Sequence, residues 1–280
     1  MLVTIGDLID DVLARRDGPL ERGTDNAATI RHARGGSAAN VAAAAAPFVP
    51  ARFIGRVGDD TAGEALVRQL ERAGVDVRVQ RGMRTGTIVI LVDETGERTM
   101  ITDRAAAAEL GPIDPTWLEG ARWLHLPLYG FSDEPSRSVL REVVKRMPRP
   151  AARVSVDLSS TATMRALGAE DLGALLFELR PDVVFANRDE DECARGLGIR
   201  LPNDTVYVVK RGGDPIVVHY RGGCAEVPVE ALPDVVDSTG AGDAFAAGWI
   251  AAALRGAGEL DAARSGVKLA TTALTELGAL

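Results

Sequence analysis

Cysteine is scarce in this chain: Cys193 and Cys224 are the only two, too few for a disulfide framework or a thiolate metal cluster, and both are expected to fill core space. The three histidines, His32, His125 and His219, are scattered without ligand spacing, which leaves a structural zinc site nothing to rest on. No apolar run reaches the roughly 18 residues that a membrane span needs. The N-terminus carries acids where a secretory leader would be basic and then apolar. An excess of positive charge is missing too. The net charge of −8 argues against nonspecific binding to nucleic acid or acidic membranes and leaves room for a local basic pocket. Residues 6–11 lack the Gly-x-Gly-x-x-Gly turn that a dinucleotide-dependent oxidoreductase would place after its first strand. The expectation is a cytoplasmic protein whose partners are small molecules.

What is present is ordinary globular material, with 46% hydrophobic and 26% charged residues. Residues 1–280 fit one α/β domain with an appended piece better than two equal halves, and no linker or internal repeat divides them. Leu2-Val3-Thr4-Ile5-Gly6 reads as a buried strand followed at once by Asp7, Asp10 and Asp11. Acids beyond a strand end fall where open α/β sheets bind ligands, although Asp7 also reads as a solvated turn residue. From Asp114, which is expected to cap a helix with Pro115 in its first turn, strands and helices alternate. Strands are predicted over 122–125, 153–157, 183–186 and 205–210, and helices over 135–145, 161–179 and 261–274. Such alternation predicts a mostly parallel sheet with helices on both faces.

Two stretches break that rhythm. Residues 12–34 carry Asp17-Gly18-Pro19 and Gly23, with few apolar residues at helical spacing, and predict two short strands joined by turns. Over 85–102, Thr87, Val89 and Leu91 alternate with Ile88, Ile90 and Val92 before Asp93-Glu94-Thr95-Gly96-Glu97 turns the chain back, a hairpin pattern. Together they predict a lid of about four strands that closes over a site and excludes water. The lid is apolar on both faces and can cover only one of them against its own site. A second lid is expected to cover the other, in a homodimer.

Three segments concentrate chemistry. In Asp237-Ser238-Thr239-Gly240-Ala241-Gly242-Asp243, small residues open an Ala-rich helix, so backbone can approach a ligand and free N–H groups can meet an anion. Asp243 beside an anion site reads as a general base; the alternative is a first-turn carboxylate on a tightly packed helix. Gly35-Gly36-Ser37-Ala38-Ala39-Asn40 also opens an Ala-rich helix. Asn187 and Glu190 follow a strand and face one side of a helix turn. They suit either a Mg²⁺ ion held through water or an N-terminal capping box.

In their order and spacing these three segments resemble the signatures of the ribokinase-like (PfkB) carbohydrate kinases, and the resemblance covers nearly the whole chain. It implies a three-layer α/β sandwich with a small β-sheet lid, and transfer of a phosphoryl group from ATP to a hydroxyl of a sugar-like substrate. Asp243 would be the base, with the amides at Gly240, Ala241 and Gly242 stabilising the transferring group. Asp11, Gly36 and Asn40 would touch the sugar. Asn187, Gly212, Thr239, Gly240 and Gly242 would lie by the nucleotide, Asn187 and Glu190 would organise Mg²⁺, and Asp237 with Thr239 would sit at a K⁺ site. The chain departs from many relatives at Ala105-Ala106-Ala107, where they have Gly-Ala-Asn, which removes a side-chain contact and a residue suited to positive φ. A furanose or keto-sugar ranks first as substrate and a nucleoside second. A non-catalytic binding protein on the same scaffold would tolerate loss of Asp243 or Glu190, and both are present.

Overall fold

Strand β1 (Leu2–Ile5) is buried along its whole length, as expected for a strand with helices on both faces of its sheet. The computed structural model describes residues 1–275 apart from 17, 95–97 and 231–239. In chain order the further strands are β2 (Ile9–Arg15), β3 (Thr29–Gly35), β4 (Ala51–Val57), β5 (Asp76–Arg81), β6 (Thr87–Val92), β7 (Arg98–Asp103), β8 (Trp123–Pro127), β9 (Arg153–Asp157), β10 (Val183–Asn187), β11 (Val206–Arg211), β12 (Asp214–Tyr220) and β13 (Gly223–Val227). The helices are α1 (Ser37–Ala45), α2 (Thr61–Arg72), α3 (Ser136–Arg146), α4 (Thr161–Leu179), α5 (Arg188–Gly196), α6 (Ala241–Leu254) and α7 (Glu259–Thr275).

Nine strands form the main sheet in the order β13-β12-β11-β10-β9-β8-β1-β4-β5. Pairing is parallel from β11 to β5 and antiparallel at the β11-β12-β13 edge. Alternate residues of its strands feed two different cores. On β10, Val184 and Ala186 pack toward α3, α4 and α5, while Val183 and Phe185 pack toward α6 and α7. That two-sided burial explains why these strands read as nearly continuous apolar runs. Backbones come close between α6 and α7, where a Cβ at Gly248 would stand 2.6 Å from the Ser265 carbonyl oxygen.

The second sheet has four strands in the order β3-β2-β6-β7, with β2 and β6 parallel and the outer pairs antiparallel. This is the expected lid, except that β2 starts at Ile9, so Asp10 and Asp11 are lid residues and not turn acids of the main sheet. Register puts Asp11 beside Ile88 and Ile88 beside Thr102 on the face toward the cleft, with Leu13, Ile90 and Met100 in the next row.

Four expectations are corrected. Asp114 does cap, accepting from the Thr116 N–H, but it starts only a 3₁₀ turn at Pro115–Leu118. Trp117 and Leu118 pack against the core, but Glu119 leaves the helical region and Gly120 takes a φ of 77°, which ends the turn before β8. Cys193 packs beside the core as expected, whereas Cys224 is exposed on edge strand β13. Ala105 adopts a φ of 41° although alanine disfavours it, so replacement of glycine has not prevented the left-handed conformation. Asp7 is buried and not solvated.

Candidate active site

The parallel strands deliver their chemistry to one line at the carboxyl end of the sheet, where open α/β sheets form ligand crevices. Asp7 follows β1, Asp157 ends β9, Asn187 ends β10 and Lys210 lies near the end of β11. Above them stand Asp11 from the lid, Gly36 and Asn40 at the start of α1, and Gly240, Ala241, Gly242 and Asp243 at the start of α6. All of these line one cleft of about 640 Å³, together with Glu190, Gly212, Tyr129 and Arg104. Such a volume suits a small-molecule site. A separate cavity of about 220 Å³ between α4 and α5 is lined mainly by apolar side chains such as Leu158, Met164 and Leu172.

Asp243 is fixed by two donors from α1. The Ser37 hydroxyl donates to Oδ1 at 2.6 Å and the Asn40 amide Nδ2 donates to Oδ2 at 3.0 Å. Ser37 and Asn40 are three residues apart, so one helical face presents both. Burial raises the Asp243 pKa to about 6 against the pull of these hydrogen bonds. Asn40 therefore lines the cleft as expected while its amide is aimed at Asp243, and its Oδ1 accepts from Arg34 at 3.4 Å. Gly36 sits at φ 102°, and a Cβ there would collide with the Asp7 carbonyl, so no other residue fits this crossing.

Lys210 Nζ donates to Asp157 Oδ2 at 2.8 Å. Burial pulls the ammonium down, but Asp157, Glu190 and Asp243 outweigh it and its pKa lies above the ordinary value. Asp157 Oδ1 accepts from the Ser159 N–H at 2.9 Å, and Tyr129 donates its hydroxyl to the Ser159 carbonyl. Arg104 grips Asp7 with two bonds of 2.8 and 2.9 Å and reaches Asp133 at 3.2 Å. Neither Ala105 nor Ala107 lines the cleft; Arg104 does.

Asn187 and Glu190 form the complete capping box of α5. Asn187 Oδ1 accepts from the Glu190 N–H and Glu190 Oε2 accepts from the Asn187 N–H, each at 2.8 Å. Asn187 Nδ2 also donates to Glu190 Oε1 at 2.8 Å. Glu190 nonetheless borders the cleft, and burial, followed by the charge of Asp157, raises its pKa above the ordinary value. Among the described residues no three His, Cys, Asp or Glu side chains are grouped to hold a metal ion. Each Glu190 oxygen accepts one bond from Asn187 and keeps a further acceptor site, so the chain fits Mg²⁺ held through intervening water and substrate phosphates. Asp237 and Thr239, expected at a K⁺ site and beside the nucleotide, lie outside the described residues. Reasoning from sequence missed Ser37, Asp157, Lys210, Arg104 and Tyr129. The i, i+3 spacing of Ser37 and Asn40 was a usable signal for the first, and the strand-end positions of Asp157 and Lys210 for the next two.

A buried carboxylate at a helix N-terminus, beside a buried lysine and under a small β-sheet, lines the ligand cleft of a ribokinase-like fold. Comparison makes this particular. The family model described as pfkB family carbohydrate kinase matches residues 1–280, and the chain belongs to that family. It is 36% identical over 275 residues to the ATP-dependent ribose-1-phosphate kinase of Halopiger xanaduensis, covering 89% of this chain and 88% of that protein. Identity to the fructokinase of Klebsiella pneumoniae is 31%, with 88% and 82% covered. Among solved structures, a sugar kinase of Pyrococcus horikoshii in complex with ATP superposes with a TM-score of 0.85 at 21% identity, covering 100% of this chain and 94% of that one. Adenosine kinase of Sinorhizobium meliloti gives 0.84 at 24%, with 99% and 94% covered. The protein is an ATP-dependent carbohydrate kinase. Among the described residues no helix is long and apolar enough to cross a membrane.

Asp11 Oδ1 is buried without a hydrogen-bond partner, and burial, then Asp10 and Asp243, raise its pKa to about 7. The unfolded chain ionises Asp11 near the ordinary 3.8, so between these values the folded state binds the extra proton and stability falls as pH rises. Asp11→Asn removes this charge. Its melting temperature relative to the parent should be higher at about pH 8 than at about pH 5 when both are measured without ligand. An unchanged difference would show that Asp11 carries no such penalty.

Proposed function

We propose that Asp243 is the general base and that the acceptor hydroxyl belongs to a furanose or keto-sugar lying between Asp11 and Asp243. The observation that carries this is the pairing of Asp243, held by Ser37 and Asn40, with the N-terminus of α6 at the same point of the cleft. The acceptor oxygen forms its bond to the γ-phosphorus as the bond to the β-phosphate bridging oxygen breaks. The hydroxyl proton passes to Asp243 and ADP departs. The N–H groups of Ala241 and Gly242 face the developing charge. Asp11 Oδ1 accepts a second sugar hydroxyl, which supplies the partner it otherwise lacks. Mg²⁺ would supply charge neutralisation between the nucleotide phosphates, and Asn187 and Glu190 would hold its waters. The acceptor panel that distinguishes substrates includes free fructose, ribose, ribose 1-phosphate and adenosine, with turnover of the sugars above that of the nucleoside. We place the protein in the cytoplasm.

Asp243→Asn keeps the size of the side chain and cannot take the proton. Loss of a general base costs about 10²–10⁴-fold in rate, so turnover should fall by that much while melting temperature and ATP-analogue affinity hold. In the parent enzyme kcat/KM should decline on the acid side around the Asp243 pKa of about 6, since only the ionised carboxylate accepts a proton. A folded Asp243→Asn variant with near-normal turnover would exclude the base.

Glu190→Gln should raise the Mg²⁺ concentration needed for half-maximal turnover and lower kcat, with sugar KM little changed. Collapse of sugar binding at an unchanged Mg²⁺ dependence would move Glu190 to the sugar.

The proposed assembly is a homodimer through the outer face of the lid. Val12, Val89 and Ile101 share one row of that face, and Ala14 lies between Ile30 and Leu91 in the next. Ile30 and Ile101 are 61% and 60% exposed, an apolar surface that a second lid would cover. Light scattering at working concentration should give twice the chain mass, and replacing Ile101 with Lys should return it to one.

A further inference from the structure

We propose that Lys210 is a catalytic residue whose ammonium passes from Asp157 to the γ-phosphate oxygens of ATP as the phosphoryl group is transferred. This assignment rests on the phosphotransfer reading above and adds a residue to it. Lys210 comes from the carboxyl end of β11, two residues before Gly212, and its side chain is only 14% exposed. Its Nζ lies against the first turn of α6, where a Cβ at Gly242 would stand 3.2 Å away. Glycine at 242 therefore leaves the ammonium close to the backbone that opens the helix.

The local charge balance calls for such a cation. Asp157 is bonded to Lys210, and Glu190 and Asp243 line the same cleft and act on the ammonium through their charge, in a site that on the proposed function admits a polyphosphate. Carboxylates alone would repel it. A buried lysine by itself tends to lose its proton, and here the carboxylates keep it charged before the nucleotide arrives. The side chain is a compact point charge on a flexible stem, so it can change partners over a short distance without a backbone rearrangement. No bond to nitrogen forms or breaks in this role, and all three protons stay on Nζ. The other explanation is that Lys210 merely balances Asp157, a fixed ion pair with no part in the chemistry.

The nucleotide distinguishes the two, because only the first role depends on the third phosphate. Affinities of Lys210→Met for ADP and for a nonhydrolysable ATP analogue are measured by calorimetry with Mg²⁺ present. The Asp157→Asn/Lys210→Met double variant is measured in parallel, since it leaves no unpaired buried carboxylate if the single variant folds poorly. Loss of a charge-assisted hydrogen bond to the γ-phosphate should weaken the analogue about 10–100-fold and ADP by less than about 2-fold in whichever variant is folded. Turnover should fall about 10²–10³-fold with sugar KM nearly unchanged. Equal weakening of both nucleotides, or of neither, would overturn the assignment and leave the ion pair structural. A parent enzyme that binds neither nucleotide would instead overturn the kinase mechanism and this residue's place in it.

Discussion

Confinement of like charge at the end of a parallel sheet is the constraint on which the site depends. Asp157 is bonded to Lys210 while Glu190 and Asp243 line the same cleft, and the burial that makes each hydrogen bond count also raises the Asp243 and Glu190 pKa values. Unpaired, any of these carboxylates would be costly inside the protein. Each is therefore held by named donors: Ser37 and Asn40 for Asp243, Lys210 and the Ser159 N–H for Asp157, and Asn187 for Glu190. These donors come from α1, β11, the loop after β9 and the end of β10, so elements distant in sequence are locked together by the charges they surround. The Gly-rich start of α6 adds backbone N–H groups with little side-chain bulk, which on the proposed function would meet the negative charge of the transferring phosphoryl group.

The lid shares this electrostatic arrangement. Asp11 belongs to β2, yet its pKa responds to Asp243, which belongs to α6. Two carboxyl groups facing each other across a cleft favour a guest with hydroxyls to donate, and disfavour an acceptor-only guest of the same size. Arg104, directly after β7, binds Asp7, directly after β1, so the end of the lid is tied to the end of the main sheet at the rim of the site. On the proposed function, a lid tied down at this rim would help keep out water, which competes with the acceptor hydroxyl for the phosphoryl group.

Much of this was legible in the residues. The β9 segment Arg153–Asp157 falls on the predicted span, and the lid hairpin β6–β7 follows from the alternation of Thr87 to Val92. Gly36, Asn40, Asp11, Asn187, Glu190, Gly212 and Gly240 to Asp243 do come to one cleft. What escaped was tertiary. Strand β5, with charged residues at Asp76, Arg78 and Arg81, is an edge strand exposed on one side, and its pattern of apolar residues is too short to announce itself. Lys210 read only as the last residue of a strand, because nothing local says that Asp157, 53 positions earlier, will lie beside it. Asp7 read as a solvated acid for the same reason: its partner Arg104 is 97 residues away.

The Asn187–Glu190 pair shows why two sequence readings need not exclude each other. As a capping box it satisfies N–H groups at the start of α5, and a cap of this kind stabilises a helix by about 0.5–2 kcal/mol. The same bonds fix the Glu190 carboxylate at the edge of the cleft, where a freely rotating glutamate would lose conformational entropy on each binding event. Each carboxylate oxygen can accept more than one hydrogen bond and Asn187 supplies one to each, so an acceptor site remains for a water bound to an ion. The cap supplies the position and leaves the outer surface of the carboxylate facing the cleft. On the proposed function, helix stability and organisation of the phosphates would come from one pair of side chains, with the first preparing the geometry that the second requires.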